Sequence, residues 1–202
     1  LIIAMPHDAL HLDPGTLQVD NTGFAVCSDM YEGLIDHKWI PSADGEYLMM
    51  DATEFEGLIA ESWEHNDNYT VWTFFLRRGL KFHSGNPITA EDVVWTFKIY
   101  HKNLFTGSVA LGMVSLEPEN IVALDDYTVQ FTLEYPMQAF LQYECQTAGG
   151  IIVDKDLILE KVGEITPMTT DPWLAKNDVG SGPYKLDHWT PGDEIVLTAF
   201  ED

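Results

Sequence analysis

Residues 58–97, LIAESWEHNDNYTVWTFFLRRGLKFHSGNPITAEDVVWTF, decide how this chain folds. Two apolar runs, 59–65 and 69–77, flank the turn-forming triplet Asn66-Asp67-Asn68, so the spacing predicts a β-hairpin. In the second run Trp72, Phe74 and Leu76 fall on one face, and Val71, Thr73, Phe75 and Arg77 on the other. Both faces are bulky, which predicts cover on both sides. A short segment, 80–83, leads into the turn Ser84-Gly85-Asn86-Pro87. Thr89-Ala90-Glu91-Asp92 has the spacing of a capping box, in which residues three apart satisfy each other's free helix-end donors. Glu91 and Asp92 also fall in the first turn, where the helix dipole favours negative charge. The helix is expected to reach about residue 101, burying Val93, Val94, Phe97 and Tyr100.

Toward the N-terminus, residues 1–5 read as a short buried strand, followed by a loop through Leu12-Asp13-Pro14. A helix is expected over 25–34, with Gly33 near its end, and an irregular stretch over 36–56 that turns at Pro41-Ser42-Ala43-Asp44-Gly45. Toward the C-terminus, a second hairpin joins 120–124 to 127–134 at Asp125-Asp126; Tyr127, Val129, Phe131 and Leu133 alternate with polar residues, giving one buried face. A short helix over 138–144, a strand over 151–153 and a helix over 154–161 capped by Asp154 follow. Asp171-Pro172-Trp173 begins another helix, with proline at its first position. A third hairpin, 184–189 with 194–200, turns at Thr190-Pro191-Gly192-Asp193, where Pro-Gly suits the central positions of a type II turn. The class is mixed α and β with antiparallel hairpins.

Composition narrows the function. With 202 residues and 46% hydrophobic content, the chain has material for a sizeable core. Its 33 acidic residues against 10 basic ones, net charge −23, exclude duplex binding and disfavour anionic membrane surfaces, both of which require cations. No apolar run reaches the length of a membrane helix, and no signal-peptide pattern is visible. Both ends look cut, since the chain starts in one strand-like segment and stops just after another. Cys27 and Cys145 are too few for a disulfide scaffold or a cysteine zinc site; one disulfide and two buried thiols both remain open.

Motifs of chemistry are sparse. His7 and His11 are four apart, but in a strand-to-loop context that does not align them, and no His-Glu-x-x-His or EF-hand spacing occurs. Hence no metal and no cofactor is expected. Gly180-Ser181-Gly182 lacks the lysine and spacing of a P-loop, and Pro183 with a strand follows it, which excludes a nucleophile elbow. It reads as a close backbone turn, or as a loop whose amides face a ligand. The pairs Glu117/Glu119 and Asp125/Asp126 carry little weight in so acidic a chain, Met49-Met50 reads as packing, and most of the aromatics read as core.

Several segments together resemble the extracytoplasmic solute-binding proteins of ABC importers, specifically the peptide/nickel-binding family 5. They are Leu58-Ile59-Ala60-Glu61-Ser62-Trp63, the stretch from Thr73 to Gly85, the stretch from Pro87 to Phe97, Leu12-Asp13-Pro14, Tyr31-Glu32-Gly33-Leu34, and Gly180-Ser181-Gly182-Pro183-Tyr184. The resemblance covers nearly the whole chain. It implies a type II (cluster C) periplasmic-binding-protein fold of two lobes, of which this chain is most of the N-terminal lobe. A base (1–33 and 136–202) would carry an inserted subdomain (34–135), and the second lobe would lie outside the chain. The stretch 37–56 is longer than the family pattern leads one to expect.

The resemblance implies a receptor rather than an enzyme. It would act as a monomer, periplasmic or extracellular and membrane-anchored, delivering a solute to ABC importer permease subunits. An oligopeptide is the expected solute; an oligosaccharide, a chelated metal, haem or an opine are alternatives within the family, and a carbohydrate-active enzyme using paired carboxylates is the rival from another class. Carried over residue by residue, the ligand contacts would be Gln18 and Asp20 after the Leu-Asp-Pro motif, Phe105 after the capped helix, and Ser181, Gly182 and Tyr184 near the hinge.

Overall fold

The computed structural model describes residues 2–14, 21–101, 116–144, 150–165 and 171–201. Helix α1 (Asn21–Met30) is followed by the antiparallel pair β1 (Ile35–Pro41) and β2 (Leu48–Gly57). Strands β3 (Ala60–His65) and β4 (Val71–Leu76) form the hairpin expected around Asn66-Asp67-Asn68. Helix α2 (Ala90–Trp95) continues as one wider π-helical turn, Thr96–His101. Strands β5 (Ile121–Asp125) and β6 (Thr128–Thr132) complete a four-stranded antiparallel sheet of order β3-β4-β6-β5. Two short helices, α3 (Phe140–Glu144) and α4 (Lys155–Lys161), precede the separate hairpin of β7 (Tyr184–Thr190) and β8 (Glu194–Ala199).

The local signals explain these elements. Both the amide and the hydroxyl of Thr89 donate to the Asp92 carboxylate, at 2.9 and 2.7 Å, closing the first turn of α2. Burial nevertheless raises the Asp92 pKa, against the pull of those same Thr89 hydrogen bonds. Asp154 caps α4 by accepting from the Leu157 amide at 2.9 Å. At the turn between β7 and β8, Gly192 has φ +80° and the Asp193 amide reaches the Thr190 carbonyl at 3.0 Å, which is the type II geometry that Pro-Gly favours.

Buried apolar side chains fall into two clusters. The larger centres on the four-stranded sheet and α2: Trp72, Phe74, Phe97, Phe131 and Phe140 interlock, with Phe97 and Phe74 meeting Phe131 edge-on at 5.1 and 5.5 Å. The smaller gathers Leu12, Cys27, Met30 and Tyr31 against Ile151, Val153, Ile158, Leu174 and Val179. Cys27 donates its thiol to the Leu12 carbonyl at 3.3 Å; Cys145 lies outside the described residues.

Six expectations need correction. Residues 2–5 are not a strand: Ile2 and Ile3 are 97% and 67% exposed, and no strand pairs with them among the described residues. The stretch 36–56 is not irregular but forms the hairpin β1–β2. Its side chains are half-buried or exposed almost throughout, so no one-sided alternation marks them. Residues 151–153 contribute a single bridge, Gly33 to Ile151, because the Ile152 and Asp154 amides donate into loops at Glu32 and Val179. The helix expected over 25–34 starts earlier and ends at Met30. After Asp171 only a 3-10 turn, Leu174–Lys176, forms; the Asp171 carboxylate takes the Trp173 and Leu174 amides. The second face of β4 is also only partly covered, since Phe75 is 37% exposed.

Candidate functional site

The residues that tie the two clusters together come from one loop, His83-Ser84-Gly85-Asn86. His83 sits in the junction with its side chain 5% exposed. Its Nδ1 lies 2.7 Å from Asp178 Oδ2 and its Nε2 lies 2.8 Å from the Gly182 carbonyl oxygen. Both ring nitrogens are therefore engaged. The His83 amide donates to the Gly180 carbonyl at 2.9 Å, and the ring meets Phe200 edge-on at 4.8 Å. Asp178 also accepts from the amides of Gly180 and Leu186, so one carboxylate organises the loop before β7 and the first half of that strand.

Beside it, Asp154 is fully buried and accepts from the Ser84 hydroxyl at 2.6 Å and from Asn86 Nδ2 at 3.0 Å. Together with the α4 cap, this single side chain satisfies three donors, which is how a buried carboxylate is tolerated. Lys155 reaches across to Glu91 at 3.0 Å at the rim. Two further ionisable groups feel the junction. Burial raises the Glu32 pKa, opposed by the nearby His83. Burial drives the Tyr31 hydroxyl well above its ordinary range, and that hydroxyl links the Leu12 carbonyl to the Val179 amide, both at 3.4 Å.

The Gly-Ser-Gly turn is shaped by proximity. A side chain at Gly180 would overlap the Met30 carbonyl oxygen, and one at Gly182 would lie 2.6 Å from the Asp29 oxygen. The Gly182 amide donates to the Met30 carbonyl at 2.9 Å, capping the end of α1. Of the six residues carried over from the resemblance, three lie in this turn or next to it. Ser181 is buried, and its hydroxyl has no hydrogen-bond partner among the described residues. Gly182 is buried and engaged by His83, whereas Tyr184 opens β7 with 45% of its surface exposed. Gln18, Asp20 and Phe105 lie outside the described residues.

Alongside this junction opens a cavity of about 560 Å³, lined among others by His83, Asp178, Lys176, Lys185, His188 and Trp189. The His188 pKa is raised by hydrogen bonds, first to Asp187 and then to Glu194. Sequence reasoning named Asp154 only as a helix cap, which it is, and did not single out His83, Asp178 or these cavity residues. His83 stood inside a quoted motif, but nothing local marked its partners. Among the described residues no group of three or more histidines, cysteines or acids is placed to hold a metal, and no helix is long and apolar enough to cross a membrane.

Residues 54–202 match the family model described as "Bacterial extracellular solute-binding proteins, family 5 Middle". The chain belongs to that family. Across 98% of its length this family 5 chain is 32% identical to the "Probable D,D-dipeptide-binding periplasmic protein DdpA" of Escherichia coli K12, covering 35% of that relative. Among solved structures, it resembles the periplasmic binding protein DppA of Helicobacter pylori in complex with peptide STSA: TM-score 0.70, 26% identity, 97% of this chain and 38% of that one. It also resembles the binding protein MoaA of A. tumefaciens R10 in complex with mannopinic acid: TM-score 0.74, 28% identity, 96% of this chain and 35% of that one. The family 5 chain thus spans about a third of the length of the relatives it matches, and its mixed α and β fold is that of one part of these two-lobed proteins.

Proposed function

We propose that this chain is part of an extracytoplasmic receptor that captures an oligopeptide and hands it to an ABC importer, without chemistry of its own. The observation that carries the reading is the similarity along 98% of the chain to a relative named for dipeptide binding, joined by the likeness to a structure with a bound tetrapeptide. Residues 1–33 and 136–202 act as a base and 34–135 as a subdomain set into it, with Phe140, Leu141 and Ile152 of the base packed into the subdomain's apolar cluster. Tyr184, exposed at the start of β7, contributes to the ligand face, together with Gln18, Asp20 and Phe105. Ser181 and Gly182 act there by shaping the turn. Closure of a second lobe over the ligand completes the site, driven by the tighter binding of the closed form. Residues 1–202 alone therefore bind peptides weakly. The receptor works outside the cytoplasm, in the periplasm or anchored at the cell surface, with permease subunits as its partner.

A second reading keeps the receptor and changes the solute, since the likeness to the mannopinic acid protein is as good as that to the peptide complex. The test is to purify the intact protein without denaturation, release its bound small molecules and identify them by mass spectrometry. A ladder of short peptides is expected. A sugar, an opine or a metal chelate instead would overturn the peptide assignment, and turnover of a glycoside by the protein would overturn the receptor.

A further inference from the structure

The 560 Å³ cavity beside β7 carries two ammonium groups that the junction does not use. Its volume lies in the range of small-molecule sites, about 300–1,000 Å³. Leu157 and Trp189 give it apolar wall, while Lys176 and Lys185 bring two of the chain's 10 basic side chains to one opening. Two carboxylates also line it, and both are engaged. Asp178 accepts from His83, Gly180 and Leu186, and Asp187 is held by His188 at 2.7 Å. Lys38, Lys155 and Lys161 each meet a glutamate at 2.8–3.0 Å. Lys176 and Lys185 meet no carboxylate within ion-pair distance among the described residues; Lys185 instead lies 5.6 Å over the Phe200 ring. In a chain with 33 acids, two lysines that meet no carboxylate among the described residues thus share a single concave site.

We propose that this cavity binds a small molecule carrying an oxyanion group, a carboxylate or a phosphate, through the ammonium groups of Lys176 and Lys185, with the Trp189 ring as its apolar wall. The indole N–H of Trp189 is already given to Asp8 at 3.0 Å, so the ring offers surface rather than a donor. The site does not depend on which solute the receptor carries.

The test is calorimetric titration of the intact protein with inorganic phosphate and, separately, with succinate and its neutral diamide, repeated on the K176Q/K185Q variant. Lys176 is exposed and Lys185 half-buried, and circular dichroism checks that the variant keeps the fold. The expected result is saturable binding of at least one anion with Kd near or below about 1 mM, none of the diamide, and at least about tenfold weaker binding in the variant. Phosphate alone would assign a phosphate-bearing ligand, succinate alone a carboxylate. No saturable binding of either anion, or unchanged affinity in the variant, would overturn the site.

Discussion

His83 and Asp178 are 95 positions apart in the sequence and 2.7 Å apart in space, and their contact fastens the loop after the central hairpin to the turn that opens β7. Because Asp178 also holds the Gly180 and Leu186 amides, the pair is coupled to backbone that neither residue belongs to. A double-mutant cycle with H83A and D178A is expected to return a coupling free energy of about 1–3 kcal/mol, measured by urea unfolding. Additive single effects would mean that the contact contributes nothing beyond its neighbours.

Asp154 holds three donors at once, from Ser84, Asn86 and Leu157. Asp154→Ala removes the α4 cap, typically about 1 kcal/mol. It also leaves the donors of exposed Ser84 and half-buried Asn86 without their acceptor, at about 1–3 kcal/mol for the two together. The expected loss is therefore about 2–4 kcal/mol, larger than for Asp125→Ala, whose carboxylate holds exposed donors at a turn. Equal losses from the two variants would remove Asp154 from its role as a clasp.

Two glycines separate close approach from backbone conformation. Gly182→Ala places a methyl group 2.6 Å from the Asp29 oxygen and must push α1 and the turn apart, at about 1–3 kcal/mol or more. Gly192→Ala meets no atom within 4 Å and suffers only from φ +80°, about 1 kcal/mol. Thermal unfolding of the two variants is expected to rank them in that order, with G182A alone disturbing the amide resonances of α1.

Glu32 sets a pH dependence whose sign follows from its raised pKa. Burial penalises the ionised form, so the folded state binds the proton more tightly than the unfolded one. The cost is present in full above the raised value. It is relieved as pH falls through that value, and is gone below the ordinary glutamate pKa of 4.5. Glu32→Gln is therefore expected to stabilise at neutral pH and not at pH 4. Stability curves of the two proteins that run parallel from pH 4 to neutrality would contradict this.

Local signals in the sequence located the hairpins and caps well. Asn66-Asp67-Asn68, Thr89 with Asp92, Asp154 and Pro191-Gly192 each act within a few residues, so their structures follow from their own neighbourhoods. What was hidden depends on distant surroundings. The β1–β2 hairpin leaves Trp39, Leu48 and Met50 exposed at 51–62%, so it lacks the alternation that betrays a strand with one buried face. Residues 2–5 have the composition of a strand but no ladder to join. The junction was legible only in part. The family motif drew attention to the stretch ending at Gly85, yet that His83 reaches Asp178 and Ser84 reaches Asp154 is a property of packing between segments 70 to 95 residues apart.

The bond from the Gly182 amide to the last carbonyl of α1 has a mechanical consequence. With no side chains to deform between them, helix and turn form a stiff crank. A twist applied to the β7–β8 hairpin is passed to α1, and from α1 through the Cys27 thiol and the Tyr31 hydroxyl to the Leu12 carbonyl. Leu12 is thus linked through this end of α1 to the β7–β8 hairpin, and a shift of one is felt at the other.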